Sequence, residues 1–315
     1  MAQIGGSVMA KQADYSGNGW AIYNADTVEV MASMPADSID CSIFSPPFSD
    51  LFVYSQSERD MGNCSNHNEF MEHYRFFAEN LFRVMKPGRI TCVHCSDIPK
   101  RKGKDGVIGL YDFSGELIRV HEAAGFILHG RCTIWKNPVV EMQRTKALGL
   151  LHKTIKKDSA MSRVGMPDYM LFFRKDGVNP NPISHTAEEF PVSEWQEIAS
   201  PVWMTINQTD VLNGYRKGRG ENDERHICPL QLDVIERCLK LYTNKGDSVL
   251  DPFNGIGSTG FKAIKMGRNY IGNELKPEYA KQAAKFLKMA EASQDTLFNL
   301  DMPIVLERLN LSEEV

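Results

Sequence analysis

A glycine-rich loop between a strand and a helix is the feature that most constrains the fold of this chain. The stretch "VLDPFNGIGSTG", residues 249–260, places Gly255, Gly257 and Gly260 at the spacing G-x-G-x-x-G, and Glu274 closes the next strand. Glycines let the backbone approach a ligand, the helix N-terminus attracts negative groups, and the acid can accept hydrogen bonds from ribose hydroxyls. The loop therefore predicts an adenosine-containing cofactor of the nicotinamide or the S-adenosylmethionine type. No Lys-Ser or Lys-Thr pair follows the glycines, which excludes a Walker-type phosphate loop.

Strand and helix patterns alternate on both sides of a less regular middle segment. The strands "SIDCSIFS" and "RITCVHCSD" enclose the amphipathic helix "NEFMEHYRFFAENLFRVMKPG", and "SVLD" and "NYIGNE" enclose the helix "TGFKAIKMG". Such alternation predicts a parallel sheet with helices on both faces. The 315 residues, 42% of them hydrophobic, supply enough core for one large domain. Residues 137–225 lose the pattern and contain several prolines, so they are expected to form a separate, irregular module.

A second motif ends a buried strand with a stiff turn and an aromatic ring. It is "SIFSPPFSD", residues 42–50. Together with "DPF" before the glycines and Glu274 after them, it resembles the exocyclic-amino DNA methyltransferases, in which "SPPF" is similar to the catalytic (D/N/S)-PP-(Y/F) motif. The stretches "NADTVEVMASMPADSIDCSIFSPPF" and "RHICPLQL" also match that family, and the resemblance covers about residues 20–140 and 225–290. The catalytic motif precedes the cofactor motif, which is the permuted order of the β class.

The resemblance implies the architecture of the whole chain. We expect an α/β fold: a Rossmann-like S-adenosylmethionine-dependent methyltransferase sheet with an inserted target-recognition region. The expected parts are the catalytic half at 1–140, the target-recognition region at 141–225, the cofactor-binding half at 226–293 and a C-terminal extension at 294–315.

The chemistry of amino methylation explains why the catalytic motif suits the task. The exocyclic nitrogen shares its lone pair with the ring, so an enzyme must localise that pair and aim it at a sulfonium methyl. The Ser45 hydroxyl and the Pro46 carbonyl could accept the two N–H bonds, and Pro47 helps to fix the direction of that carbonyl. Phe48 could stack on a base rotated out of the duplex. Direct transfer of this kind needs neither a metal nor a covalent intermediate.

The resemblance also assigns a cofactor site. Asp251, Phe253 and the glycines would surround the methionine end, and Glu274 would bind the ribose. Asp26 corresponds to the family acid near the adenine, with a simple turn or capping role as the alternative. His226 would shape the pocket or be purely structural. The full expected set is Asp26, His226, Asp251, Phe253, Asn254, Gly255, Gly257, Ser258, Thr259 and Glu274.

Basic residues are concentrated in three loop-like segments of a chain whose net charge is −4. Any one segment could be an ordinary solvated surface, but three on one chain favour a surface that faces phosphates. Under the resemblance they would contact double-stranded DNA. The expected DNA-binding residues are Lys100, Arg101, Lys102, Lys104, Lys153, Lys156, Lys157, Arg163, Arg216, Lys217 and Arg219.

The target base follows least directly from the sequence. In the family Ser at the first motif position often accompanies N4-cytosine activity, yet enzymes of the permuted order that act on adenine are common, so N6 of adenine is favoured slightly and N4 of cytosine is the alternative. An RNA or protein amide methyltransferase, an inactive nucleic-acid-binding homologue and a nicotinamide enzyme are more distant alternatives. The chain shows no endonuclease motif, which suggests a methyltransferase paired with a separate nuclease or an orphan enzyme.

The sequence also predicts the oligomeric state and the cellular compartment of the protein. A short palindromic target would suit a homodimer. No apolar run approaches the ~18 residues of a membrane span, and the N-terminus lacks a signal-peptide pattern, so a cytoplasmic protein without a membrane partner is expected. The seven cysteines do not suggest a disulfide framework. Cys92 and Cys95 have C-x-x-C spacing around His94, but they lie on an apolar strand, so no metal site is expected.

Overall fold

The computed structural model describes residues 12–48, 64, 67–100, 102–145, 150–213 and 229–298. Eleven strands lie in this part of the chain. They are β1 (Tyr15–Gly17), β2 (Trp20–Tyr23), β3 (Ile39–Phe44), β4 (Met85–Cys95), β5 (Ile98–Lys100), β6 (Gly109–Tyr111), β7 (Ile127–Ile134), β8 (Asp168–Arg174), β9 (Val202–Trp203), β10 (Ser248–Asp251) and β11 (Asn269–Asn273).

Ten α-helices connect these strands in the described residues. They are α1 (Thr27–Ser33), α2 (His67–Val84), α3 (Lys102–Asp105), α4 (Phe113–Ala123), α5 (Pro138–Thr145), α6 (His152–Ile155), α7 (Val192–Ile198), α8 (Leu232–Tyr242), α9 (Ser258–Lys265) and α10 (Pro277–Phe298), and a short 3-10 helix spans Ser159–Met161.

Nine strands form one sheet in the order β1-β2-β11-β10-β3-β4-β8-β7-β9, and β5 and β6 form a separate antiparallel pair. Strands β2, β11, β10, β3 and β4 are parallel neighbours. Strand β8 runs antiparallel between β4 and β7, and β1 is antiparallel to β2. The expected α/β architecture is confirmed. The sheet is parallel as expected except at β8 and β1, which run antiparallel to their neighbours.

Each face of the sheet is covered because its strands are apolar on both sides. Successive residues of β3 alternate between the two cores: Ile43 packs in the cluster that contains α8, α9 and α10, and Phe44 packs in the cluster that contains α1, α2 and α4. Helix α2 supplies Phe70, Tyr74 and Phe77, whose spacing of three or four residues aligns them on one helical face. The result is a three-layer helix–sheet–helix arrangement.

The middle segment differs from the expected separate module. Strands β8 and β9, which lie within residues 141–225, hydrogen-bond into the main sheet. Trp203 is buried in the main core, whereas Trp195 is half exposed. This pairing cannot be recognised in the sequence, because proline-rich connections surround these strands and the partners of β8 are distant along the chain. The other described residues of the segment lie outside the sheet in helices and loops.

The direction of the strands determines where a site can lie. Strands β3, β10 and β4 end at the same edge of the sheet, called here the carboxyl edge. Strand β7 ends there too, and β8 begins there, because β8 is antiparallel to both of its neighbours. Ligands of open α/β sheets bind beyond this edge.

Candidate active site

The Ser-Pro-Pro-Phe motif and the glycine loop follow neighbouring strands at the carboxyl edge. The motif begins one residue after β3, and the loop follows Asp251 at the end of β10. Two contacts join the strands: the Ser42 hydroxyl donates to the Leu250 carbonyl at 2.9 Å, and the Thr259 hydroxyl donates to the Ile43 carbonyl at 3.3 Å. Two motifs that are far apart in the sequence therefore become adjacent.

Aromatic rings pack the two motifs together. Phe253 of the glycine loop lies 5.7 Å from Phe44 and 4.9 Å from Phe77 between ring centroids. Phe48 is only partly buried and lies 6.1 Å from Phe113, with the two rings tilted by 46°. Both Phe48 and Phe253 are partly buried and pack against the core on the α2 face of the sheet.

The glycines of the loop have different structural roles. Gly255 has φ +52, and a Cβ built on it meets no atom within 4 Å, so open space lies in front of this backbone. Gly257 has φ +87 and caps the N-terminus of α9, where a Cβ would lie 2.9 Å from the Ala283 Cβ. Gly255 leaves room for a ligand, while Gly257 allows α9 to pack against α10.

Hydrogen bonds hold the loop in shape. The Gly255 N–H donates to Glu274 Oε2 at 2.7 Å, and the Lys276 N–H donates to Glu274 Oε1 at 2.8 Å. Asn254 accepts a 2.7 Å bond from the Tyr270 hydroxyl. Ser258 and Thr259 are buried in the first turn of α9. The acid expected to bind a ribose is therefore already positioned beside the loop.

Asp251 is a buried carboxyl group without a cationic partner among the described residues. Burial raises its pKa to about 7, although the Thr259 hydroxyl and the Phe253 N–H favour its charged form. The Phe253 N–H donates to Oδ1 at 3.0 Å. A buried acid that is half ionised near neutral pH is suited to a positively charged ligand.

Asp26 has the capping role that was the alternative to its cofactor role. Its carboxylate accepts the backbone N–H groups of Val28 at 2.8 Å and Glu29 at 3.3 Å, and it caps α1. It remains partly exposed near the carboxyl edge, because α1 follows β2. A contact with a cofactor stays a prediction.

A histidine without a predicted function lies within hydrogen-bonding distance of Ser45. His94 Nδ1 lies 3.2 Å from Ser45 Oγ, and His94 Nε2 lies 3.2 Å from Asp168 Oδ2. Lys136 Nζ donates to the other oxygen of Asp168 at 2.5 Å. Burial by itself would raise the pKa of Asp168, but the hydrogen bond and charge from His94, together with Lys136, lower it to about 2.

The pairing of β3 with β4 explains why His94 lies beside Ser45. Strand β4 pairs in register with β3, with Val93 opposite Phe44, so the next residues, His94 and Ser45, must be neighbours at the end of the pair. Asp168 and Lys136 come from β8 and from the residues after β7. No local pattern links those two to the motif.

The basic residues differ in their surroundings. Lys102 is exposed, and the ammonium of Lys100 lies 4.3 Å from the centre of the Tyr111 ring. Lys104 lies in α3. Lys153, Lys156 and Lys157, called here the α6 lysines, are all exposed. Arg163 is paired internally, because it donates to Glu141 Oε1 at 3.0 Å and to the Val164 carbonyl.

Five of the expected site residues lie outside the described residues. They are Arg101, Arg216, Lys217, Arg219 and His226. In the part of the chain that the structure describes, no group of three His, Cys, Asp or Glu side chains could hold a metal ion. None of the described helices combines the length and the apolar character needed to cross a membrane.

Comparisons with known proteins agree with this arrangement. The sequence model of a family described as DNA methylase, the N6/N4 group, matches residues 39–285. The type II methyltransferase M.MjaI of Methanocaldococcus jannaschii is 26% identical over 200 residues, which cover 62% of this chain and 60% of that relative's length.

Two solved structures share the fold. The PvuII DNA methyltransferase, described as cytosine-N4-specific, aligns with a TM-score of 0.64 and 21% identity over 93% of this chain and 95% of that chain. The TTHA0409 protein of Thermus thermophilus, described as a putative DNA modification methylase in complex with S-adenosyl-L-methionine, aligns with a TM-score of 0.64 and 21% identity over 85% of this chain and 93% of that chain. The family match extends over more than half of the sequence, and the chain therefore belongs to the N6/N4 DNA methylase family.

Proposed function

We propose that the protein is a site-specific DNA methyltransferase that transfers a methyl group from S-adenosylmethionine to the exocyclic amine of a flipped base. The observation that carries this proposal is the adjacency of the two motifs, joined by the bond from Thr259 to the Ile43 carbonyl. Direct transfer requires the methyl donor and the target amine at one place. In this chain the carboxyl edge would provide that place.

The residues of the loop suit S-adenosylmethionine. The open space at Gly255 leaves room for the cofactor to approach the backbone. Asp251 would attract its positive charge, and Glu274 would accept hydrogen bonds from its ribose. The cofactor would supply an electrophilic methyl group on a sulfonium. Binding of this cation would favour the ionised form of Asp251 and so lower the pKa of that carboxyl group.

The catalytic motif would hold the base. Ser45 Oγ and the Pro46 carbonyl would accept the two amine N–H bonds, and the Pro46-Pro47 backbone would keep that carbonyl in a fixed direction. Phe48, supported by Phe113, would stack on the flipped ring. These contacts would localise the lone pair of the nitrogen before the methyl group is transferred.

Double-stranded DNA would lie across the carboxyl edge. The β5–β6 pair follows β4 there, and the segment that carries the α6 lysines connects the end of β7 to the start of β8 at the same edge. Their ammonium groups would neutralise phosphates beside the catalytic motif. The helices and loops of residues 141–225 outside the sheet would then read the sequence as the target-recognition region.

Adenine N6 is the proposed target, with cytosine N4 as the second candidate. The permuted motif order of the β class favours adenine slightly, because enzymes of this order that act on adenine are common. Ser45, in place of the Asp of many adenine enzymes, favours cytosine. We further propose that the protein is a cytoplasmic homodimer that reads a palindromic site. Light scattering at micromolar concentration would test the dimer.

The decisive experiment identifies the methylated base. The protein is incubated with S-adenosylmethionine labelled in the methyl group and with unmethylated duplex DNA, the DNA is digested to nucleosides, and the labelled nucleoside is identified by mass. Labelled N6-methyldeoxyadenosine is the expected result. Label on N4 of cytosine would replace the adenine proposal, and the absence of any labelled nucleoside would reject a DNA methyltransferase.

A further inference from the structure

The catalytic serine is one end of a chain of four polar side chains. Ser45 Oγ lies 3.2 Å from His94 Nδ1, His94 Nε2 lies 3.2 Å from Asp168 Oδ2, and Lys136 contacts the other oxygen of that carboxylate. His94 and Asp168 are both buried, with exposed fractions of 8% and 3%. The two central side chains are therefore shielded from solvent, while Ser45 and Lys136 at the two ends are partly exposed.

The neighbours of His94 point to its tautomer. Contacts with His94 and Lys136 lower the pKa of Asp168 and keep it a carboxylate. A carboxylate next to Nε2 favours the tautomer with its proton on Nε2 and a lone pair on Nδ1. Nδ1 then accepts the Ser45 hydroxyl proton, and this leaves only oxygen lone pairs of Ser45 directed to the site. The serine is thereby set as an acceptor for an N–H group.

We propose that His94, positioned by Asp168 and Lys136, receives through the Ser45 hydroxyl the proton that leaves the target amine during methyl transfer. This inference rests on the proposed function and adds a proton path to it. A serine is neutral, so it lacks the negative charge that an aspartate would offer at the same motif position. The His94–Asp168 pair supplies that charge one side chain further away.

The step balances in atoms and electrons. The amine nitrogen donates its lone pair to the methyl carbon of S-adenosylmethionine, and the carbon–sulfur bond breaks with its electron pair on sulfur. One N–H proton passes to Ser45 Oγ while the Ser45 proton passes to His94 Nδ1. The positive charge lost by the sulfonium thus reappears on the imidazole, opposite the Asp168 carboxylate, and His94 returns its proton to solvent after the product leaves.

Two substitutions separate proton transfer from simple orientation. His94→Asn keeps an acceptor oxygen near the Ser45 hydroxyl but cannot take a proton, and His94→Ala removes both abilities. If the inference is correct, both variants lose turnover by about 10²-fold or more, while their dissociation constants for S-adenosylmethionine and DNA change less than about threefold. Added imidazole should restore turnover to His94→Ala in a saturable manner. His129→Ala, which removes an exposed imidazole from β7, is the matched control and should neither lose turnover nor respond to imidazole.

A spectroscopic measurement on the unsubstituted protein does not depend on activity. Nitrogen NMR of histidine-labelled protein, with His94 assigned by its loss in His94→Asn, should show a neutral ring protonated on Nε2. Ser45→Ala should shift the Nδ1 signal, because that nitrogen loses its hydrogen bond.

The outcomes distinguish the two levels of the proposal. An inactive wild-type protein would reject the methyltransferase itself. If the wild type is active, any of three results would overturn the proton path and leave the methyltransferase in place. They are near-normal turnover in His94→Asn, a His94 ring protonated on Nδ1, and lost turnover in His94→Ala that imidazole does not restore.

Discussion

The Asp251→Asn substitution tests the raised pKa of the buried acid in the cofactor loop. Asparagine has nearly the same shape and keeps an acceptor for the Phe253 N–H, but it carries no charge. In the folded protein the Asp251 pKa is raised from 3.8 to about 7. The folded state therefore binds more protons than the unfolded state between these values, so the stability of the wild type falls as pH rises from about 4 to about 7.

The magnitude follows from the width of the titrated interval. From about pH 5.5 up to its pKa of about 7 the folded protein holds a proton that the unfolded protein has already lost. Over this interval of about 1.5 pH units, each unit costs the folded state ~1.36 kcal/mol. The cofactor-free wild type should thus lose roughly 2 kcal/mol relative to Asp251→Asn between about pH 5.5 and about pH 8. For a chain of this size that difference corresponds to about 4 °C in melting temperature.

Thermal melting at the two pH values, without cofactor, measures this difference. Asp247→Asn is the matched control, since it alters a buried carboxylate that accepts from Arg89 at 3.0 Å. Removing that ion pair should destabilise the protein at both pH values. The reasoning would be refuted if Asp251→Asn differed from the wild type by the same melting shift at both pH values. It would also be refuted if the variant were less stable than the wild type only at the higher pH. With S-adenosylmethionine present the wild type should melt at a higher temperature than Asp251→Asn, because the variant lacks the charge that attracts the cation.

Further substitutions separate the parts of the site. Phe48→Ala should reduce turnover far more than cofactor affinity, as measured by kinetics and calorimetry; an equal loss of both would mean that the ring is structural. Gly257→Ala should lower the melting temperature strongly, because its Cβ would lie 2.9 Å from the next helix in addition to the strain of alanine at a positive φ. Gly255→Ala, whose Cβ meets open space, should lose only the ~1 kcal/mol of placing alanine at a positive φ and should also weaken cofactor binding. Replacing the α6 lysines by alanine should reduce the slope of log affinity for DNA against log salt by about 2.7. The same replacement of three exposed lysines of α10 should leave that slope unchanged.

Much of the fold could be predicted because its signals are local. The apolar spacing of α2 and the glycines after β10 are properties of short stretches, and the structure places both as the sequence predicts. The two site motifs were also recognisable as short stretches. Their adjacency follows once the parallel order of β3 and β10 is known.

The sequence could not reveal the pairing of the middle segment. Strand β8 is antiparallel between two strands that precede it in the chain, and irregular connections surround it. A short apolar strand has the same local pattern in a separate module as in a central sheet, and only its distant partners distinguish the two.

The sequence by itself determined the class of fold and revealed the glycine loop and the Ser-Pro-Pro-Phe motif, because each is encoded in consecutive residues with fixed conformational needs. Only the tertiary structure decided which polar side chains lie next to the motif. His94 lies 49 residues from Ser45, and Asp168 lies 32 residues from Lys136, yet the register of β3, β4, β7 and β8 brings all four together. Such a group depends on pairing between distant strands, and no single stretch of the chain contains that information.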